Sequence, residues 1–219
     1  MQRFLVGLHR ASAHSNRIGK LSTAIGGCIQ ELFPCPDKVI TALDVGCGDM
    51  TVAETISSDN PTIQWACTDI HELPPHLHGT EKWKKYRKFD GSKLPFDNAS
   101  FDVVLFSDVL HHCLPASSDL LREAGRVARF VVVKDHFEKG LFSRATLRLL
   151  DFIGNYGYGV SVPECYFDEL SFQASADAAG LRIMKMIDHL PIYPFPLSMV
   201  LPQTLQFLAV LERAAHENV

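Results

Sequence analysis

The residue types able to do chemistry in this chain collect at the ends of its apolar runs. In Leu43-Asp44-Val45-Gly46-Cys47-Gly48-Asp49 a β-forming stretch closes in two glycines with an acid on either side. Such a turn lets the backbone approach a nucleotide-like ligand, because glycine adopts positive φ without a Cβ clash. Asp69, in Cys67-Thr68-Asp69-Ile70, ends the next apolar run about 20 residues on, where a carboxylate can accept from both hydroxyls of a ribose. Asp90, in Asp90-Gly91, ends a third run and can accept from an adenine amino group, with Leu94 or Phe96 near the ring. The bland alternatives are a strand-terminal acid facing water for Asp69 and an ordinary turn dipeptide for Asp90-Gly91.

Proton chemistry points to two further segments. Lys134-Asp135-His136 closes the apolar run Phe130 to Val133, and ligands of open parallel sheets bind beyond the carboxyl ends of the strands. A histidine beside a carboxylate is poised near neutral pH to take a proton from a hydroxyl or amine, and His136 is favoured over Asp135 as that base. The competing reading is a capped strand end whose polar residues hold the next segment in place. The other segment is Phe106-Ser107-Asp108-Val109-Leu110-His111-His112-Cys113. Paired histidines invite a metal, but neighbours on one element point apart and no other His, Asp or Glu shows a matching ligand spacing, so no metal is expected. His112 is read as a wall residue of the site, against a purely structural role.

The elements that must position these residues alternate strand-like and helix-like patterns, as in an α/β fold with a mainly parallel sheet. Strands are predicted at 38–45, 62–68, 85–89, 101–107, 129–135, 181–188 and 205–212, and helices at 50–58, 117–127 and 167–179. Ser117, Ser118 and Asp119 offer caps to the second helix, and Gly180 ends the third. Residues 1–35 read as a helical cap with Phe4, Leu5, Leu8, Ile18, Leu21 and Ile25 as its packing face. Residues 138–166 are long for a connection and read as an insertion over the active-site end of the sheet. Its apolar residues Phe142, Leu147, Leu150, Phe152, Tyr156, Tyr158, Val160, Val162 and Tyr166 are punctuated by Gly154, Gly157 and Gly159. That composition suits a lid over a small, largely apolar acceptor, or a hairpin that simply covers the sheet.

Leu43 to Gly48 fit the pattern [LV]-[DE]-x-G-x-G without a gap and resemble motif I of the class I S-adenosylmethionine-dependent methyltransferases. The third glycine of the dinucleotide fingerprint is absent, with Thr51 in its place, which disfavours a dehydrogenase. The order D-G-x-x-L-P-F-x-x-x-x-F-D-V-V from Asp90 to Val104 resembles the type 11 methyltransferases, the group that includes ubiquinone and menaquinone biosynthesis enzymes, and the likeness spans residues 38–136. It implies a Rossmann-like fold with a seven-stranded, mainly parallel sheet of order 3-2-1-4-5-7-6 and helices on both faces. It also implies S-adenosylmethionine as cofactor. Asp44, Gly46, Cys47 and Gly48 would cradle the methionine end, Asp69 and Ile70 the ribose side, and Asp90 and Gly91 the adenine. Ser107 and His112 would line the methionine side. Lys134 to His136 with Leu149-x-Asp151-x-x-Gly154-Asn155 and Tyr158 to Pro163 looks like a pattern shared by a subset of bacterial type 11 enzymes.

Composition bounds the rest. The 219 residues, 47% hydrophobic and 21% charged, read as one domain: the cap at 1–35, the core at 36–137 and 167–219, and the lid-like insertion at 138–166. A net charge of −4 argues against a general nucleic-acid binder. The basic run Lys82 to Lys88 is better explained as protection of an edge strand than as an RNA contact. Six scattered cysteines without a C-x-x-C pair read as free thiols in a reducing cytoplasm. The five-residue apolar run Phe4 to Leu8, followed by His9 and Arg10, is too short for a signal peptide. The uncharged stretch Leu190 to Leu211 is broken by Pro191, Pro194, Pro196 and Pro202, so a loop and a buried strand are expected there and no stable membrane insertion. The expected reaction is methyl transfer to a small molecule, at oxygen or nitrogen rather than carbon. The rivals are an RNA or protein methyltransferase and a cofactor-binding protein without catalysis; oligomeric state is left open.

Overall fold

The computed structural model describes residues 2–140, 142–154, 162–193 and 203–214 of the protein. The expected packing of Phe4, Leu5, Leu8 and Leu150, the lid residues Asn155 to Val160, and Pro194, Pro196 and Pro202 lie outside the described residues. Helix α1 (Gln2–Leu32) precedes β1 (Ile40–Val45), α2 (Thr51–Asp59) and β2 (Ile63–Asp69). After the short α3 (Glu81–Lys85) come β3 (Tyr86–Lys88), β4 (Phe101–Ser107), α4 (Ser117–Val127) and β5 (Ala128–His136). Helices α5 (Ser143–Gly154) and α6 (Glu169–Ala178) lead to β6 (Leu181–Asp188) and β7 (Gln206–Arg213). The strands form one sheet of order β3-β2-β1-β4-β5-β7-β6, as expected. Only β7 runs antiparallel to its neighbours β5 and β6.

Period-2 alternation sends successive residues of each central strand to opposite faces. Ala42, Cys67, Leu105 and Val132 face Leu21, Ile25 and Ile29 of α1 and Ile56 of α2. Leu43, Val104, Phe106 and Val133 face Leu120, Leu121 and Ala124 of α4 and Phe172 of α6. Both faces are covered, which is why β4 and β5 read as continuous apolar runs. All the parallel strands therefore end at one edge, where the polar residues of the site emerge.

Two local expectations differ. Lys82 to Lys85 belong to α3 rather than to the edge strand, because Glu81 in the first turn and lysines in the last suit the helix dipole. Strand β3 is the edge, and Lys82, Lys84 and Lys88 pair with Glu54, Glu81 and Glu72. Ala116 is the N-cap of α4, without a side-chain cap, and the Ser117 hydroxyl bonds Ser175 of α6 at 3.2 Å instead. Helix α6 starts with a capping box between Asp168 and Ser171, and Gly180 follows its end in the left-handed region. Among the described residues, no helix is long and apolar enough to cross a membrane.

Phe172 packs edge-on against Phe137 and Phe167 and tilts against Phe207 of β7. Truncation there leaves a cavity beneath the last strands, so Phe172→Ala should cost about 3–5 kcal/mol in equilibrium urea unfolding. A loss below about 1 kcal/mol would show that this aromatic cluster does not hold α6 to the sheet.

Candidate active site

The glycine turn after β1 is built by close approach. Gly46 has φ +75°, its N–H donates to the Thr68 carbonyl at 2.8 Å, and a Cβ there would lie 2.5 Å from Cγ2 of Val109. Gly48 has φ +52°, is exposed, and a Cβ on it would meet nothing within 4 Å. Its bare backbone therefore borders open space, while its N–H donates to Oδ2 of Asp69 at 3.0 Å. Oδ1 of Asp69 accepts from the His71 N–H at 3.0 Å, and each oxygen keeps a lone pair for a ribose hydroxyl. Ile70, 50% exposed, lies against Gly91, whose Cβ position is 3.3 Å from Ile70 Cγ2.

Asp90 is fixed by an Asx turn in which Oδ1 accepts from Ser92 N, Ser92 Oγ and Lys93 N. The Lys93 and Ser92 backbone bonds lower its carboxyl to about 2, and Oδ2 has no partner among the described residues. That is an acceptor of the kind an adenine amino group needs. Asp44 is buried, and burial reinforced by the Asp69 charge pushes its carboxyl up to about 7. The nearby Cys67 thiol and burial push the Cys47 thiol well up, so it packs as an apolar group. An open glycine face next to two strand-end carboxylates with acceptor capacity to spare fits S-adenosylmethionine.

The second half of the site forms where β4 and β5 end side by side, with Ser107 in register with Lys134. Asp108 turns the chain with φ +58° and donates its N–H to the Lys134 carbonyl at 2.8 Å. A 3-10 turn, Leu110–Cys113, then brings His111 over Asp135. Oδ1 of Asp135 lies 2.6 Å from His111 Nδ1 and accepts from the His136 N–H at 2.8 Å, while Oδ2 accepts from the His111 N–H at 3.2 Å. Asp151 of α5 places Oδ2 3.5 Å from His111 Nε2, and the Tyr166 hydroxyl donates to that oxygen. On the other side Asp108 holds the buried Lys134 ammonium and, at 3.1 Å, the Arg17 guanidinium from α1. Arg17 also lies over the Tyr193 ring at 5.7 Å. His136 Nδ1 sits 3.4 Å from Asp135 and 3.5 Å from Asp108 without a hydrogen bond.

Burial alone would favour a neutral His111, but Asp135 and then Asp151 outweigh it and raise the ring to about 10. Burial and the His111 charge lower His112, and burial and Lys134 lower His136. Asp108 and Asp135 are held well below the usual carboxylate range despite burial, Asp108 chiefly by Lys134 and Asp135 by His111. The outcome is one imidazolium flanked by two neutral rings, at centroid distances of 4.1 Å to His112 and 5.3 Å to His136. Neutral rings accept protons.

Of the residues predicted from sequence, Asp44, Gly46, Cys47, Gly48, Asp69, Ile70, Asp90 and Gly91 line the first half, and Ser107, His112, Asp135 and His136 meet in the second. Lys134 and Asp135 are fully enclosed and His136 is only 4% exposed, whereas His112 is half-buried. Arg17 and Tyr193 carry no role in the sequence reading; Asp108 and His111 enter it only within Phe106 to Cys113, and Asp151 and Tyr166 only within the 138–166 insertion. The expectation that no other acid matches the paired histidines in spacing is corrected: His111, Asp135 and His136 bring ligand-type atoms within 4.8 Å of one another. Within this cluster Asp135 is already engaged by His111 Nδ1 and the His136 N–H, while His136 Nδ1 makes no hydrogen bond.

Residues 43–130 match the family model described as a methyltransferase domain. No curated protein matches the chain. Among solved structures, a SAM-dependent methyltransferase from Aquifex aeolicus is 16% identical with a TM-score of 0.57, over 86% of this chain and 89% of that one. The methyltransferase in complex with the Haloferax volcanii Trm112 methyltransferase activator is 15% identical with a TM-score of 0.59, over 82% and 84%. Mitomycin 7-O-methyltransferase is 18% identical with a TM-score of 0.61, over 90% of this chain and 53% of its own. At these identities the likeness is one of fold.

Two outcomes follow from the cofactor half. Asp69→Ala should weaken S-adenosylhomocysteine binding about 10- to 100-fold in calorimetry, the loss of charge-assisted bonds to two hydroxyls; unchanged affinity would remove the ribose assignment. For Asp44, the folded value of about 7 lies above the ordinary 3.8, so stability is fully present below pH 3.8 and is lost as pH rises to about 7. Asp44→Asn should therefore raise the melting temperature at pH 8 by about 3 °C or more and change it little at pH 4; an equal change at both would disprove the buried charge. Residues 43–130 thus match a methyltransferase domain, and the sheet order is the one expected of the class I methyltransferase fold.

Proposed function

We propose that the protein methylates an oxygen or nitrogen of a small, apolar or aromatic molecule. The observation that carries this reading is the half-buried His112, lowered by burial and the His111 charge toward its neutral form, beside the enclosed His111, Asp135 and His136 at the ends of β4 and β5. Bound S-adenosylmethionine supplies an electrophilic methyl carbon, whose C–S bond breaks with its electron pair left on sulfur as the acceptor's lone pair forms the new bond. Asp44 and the Gly46 to Gly48 backbone hold the methionine end, Ser107 borders it, Asp69 and Ile70 take the ribose side, and Asp90 and Gly91 the adenine. An acceptor proton goes to a neutral imidazole. His112 suits that step better than His136, because a base must reach the acceptor and His136 is closed in between Asp135 and Asp108. Helix α5 brings Asp151 to His111, and an apolar acceptor suits the aromatic 138–166 segment.

A nucleic-acid or protein substrate is disfavoured by the net charge of −4 and by the pairing of Lys82, Lys84 and Lys88 with acids. The described cysteines are all free thiols, in keeping with a reducing compartment. Methyl-labelled S-adenosylmethionine offered with a panel of phenols, carboxylates and amines should transfer label to at least one class. Tight S-adenosylhomocysteine binding with no transfer would favour a non-catalytic binding protein. With the acceptor so found, His112→Ala should lower turnover about 10²- to 10⁴-fold and leave cofactor affinity within about twofold. His136→Ala should cost less; the reverse ranking would return the base role to His136.

A further inference from the structure

His111 makes contacts with residues of β5, of α5, of the segment before α6 and of its own turn. From β5, Asp135 takes both its Nδ1 and its main-chain N–H, and His136 lies edge-on to its ring. From α5, Asp151 faces Nε2, and Tyr166 both bonds Asp151 and stacks on the His111 ring with centroids 5.5 Å apart. From its own turn, His112 lies 4.1 Å away at an interplanar angle of 39°. The ring is 1% exposed, so it cannot itself meet an acceptor. His112, by contrast, has no side-chain hydrogen bond among the described residues, and the His111 ring is its closest aromatic neighbour.

We propose that His111, clamped between Asp135 and Asp151, is a positioning residue that fixes the His112 ring for proton transfer and ties helix α5 to that ring. The proposal rests on the reading of His112 as proton acceptor. A ring hydrogen-bonded through Nδ1 to Asp135, with Asp151 3.5 Å from Nε2, is restrained from turning, and the tilted His112 ring packed on it is restrained in turn. The clamp also carries a fixed positive charge, and a cation 4.1 Å from His112 disfavours a second one there, keeping His112 able to accept. The remaining charges near His112 are Asp151, Asp135 and Asp108, and Asp108 is itself covered by Lys134 and Arg17. His136 is faced by Lys134, Asp108, Asp135 and His111. Because Asp151 belongs to α5, undocking that helix removes one jaw of the clamp, so the acceptor ring is set only with that helix docked.

Histidine Cε1–H NMR titration of the full chain with S-adenosylhomocysteine tests this without a known acceptor. In the parent, His111 should show no titration between pH 6 and 8.5, and His112 should titrate below the ordinary value of about 6.5. In His111→Gln, which keeps a donor for Asp135 but no charge, the His112 midpoint should rise by about 0.5 unit or more. An unmoved His112 midpoint in a folded His111→Gln protein overturns the proposal. Should that variant fail to fold, Asp151→Asn decides: amide exchange across α5 should quicken about tenfold or more, and unchanged protection refutes the tie to the helix. A protein that shows the shifts yet methylates no acceptor refutes the reaction and leaves the clamp standing; one that methylates while His112 stays unmoved refutes the clamp alone.

Discussion

A carboxylate with no access to water governs the C-terminal edge of the sheet. Asp135 sits near the end of a central strand with neighbours on both sides and helices on both faces, so its charge has to be met entirely by protein donors. Three N–H groups meet it, two of them from His111 and one from the His136 backbone. That requirement explains the local path of the chain. After β4 the backbone turns at Asp108 in the left-handed region and coils into a 3-10 turn, a geometry that lays both the main chain and the ring of His111 on one carboxylate. Removing one partner from such a pair leaves an uncompensated buried charge, at a cost of about 3–5 kcal/mol.

The cofactor half obeys a different constraint, that of close approach rather than charge. Gly46 is packed against Val109, and Val109 belongs to the same post-β4 segment that carries Asp108 and His111. The glycine turn and the proton network therefore share a wall. A side chain at 46 would displace Val109 and with it the turn that delivers the histidines. The two halves are thus positioned against each other by one steric contact and by the parallel pairing of β1 with β4.

Most of the sheet was legible because its strands are covered on both faces, which forces continuous apolar runs that end in recognisable polar residues. The short α3 was not, since a run of lysines fits an edge strand and a helix end equally well by composition. The residues assigned to the cofactor half could be read together for a related reason: they follow strand ends in chain order. The proton half was only partly legible. Adjacency in sequence pairs Asp135 with His136, yet the fold gives its carboxylate to the ring of His111, 24 positions earlier. Arg17 meets Asp108 across 91 positions, a contact no local pattern announces. Both histidines of the Leu-His-His run drew notice, but their division into one enclosed cation and one open ring depends on which strand end lies beneath them.

That division limits what can occupy the site. Arg17 from α1 and Asp151 from α5 reach the network from different elements, Arg17 meeting Asp108 and Asp151 facing His111 in the segment after β4. Charges in a poorly polarisable interior depend strongly on their partners, so neither element can withdraw without exposing the balance of the other. A strongly charged acceptor would compete for these ion pairs and unsettle the ring it needs. An uncharged molecule, apolar over most of its surface and presenting a single polar hydrogen toward His112, leaves every pair intact. Under the proposed reading, these paired charges orient the proton acceptor, and an acceptor that leaves them undisturbed is favoured by the same carboxylate that shapes the turn.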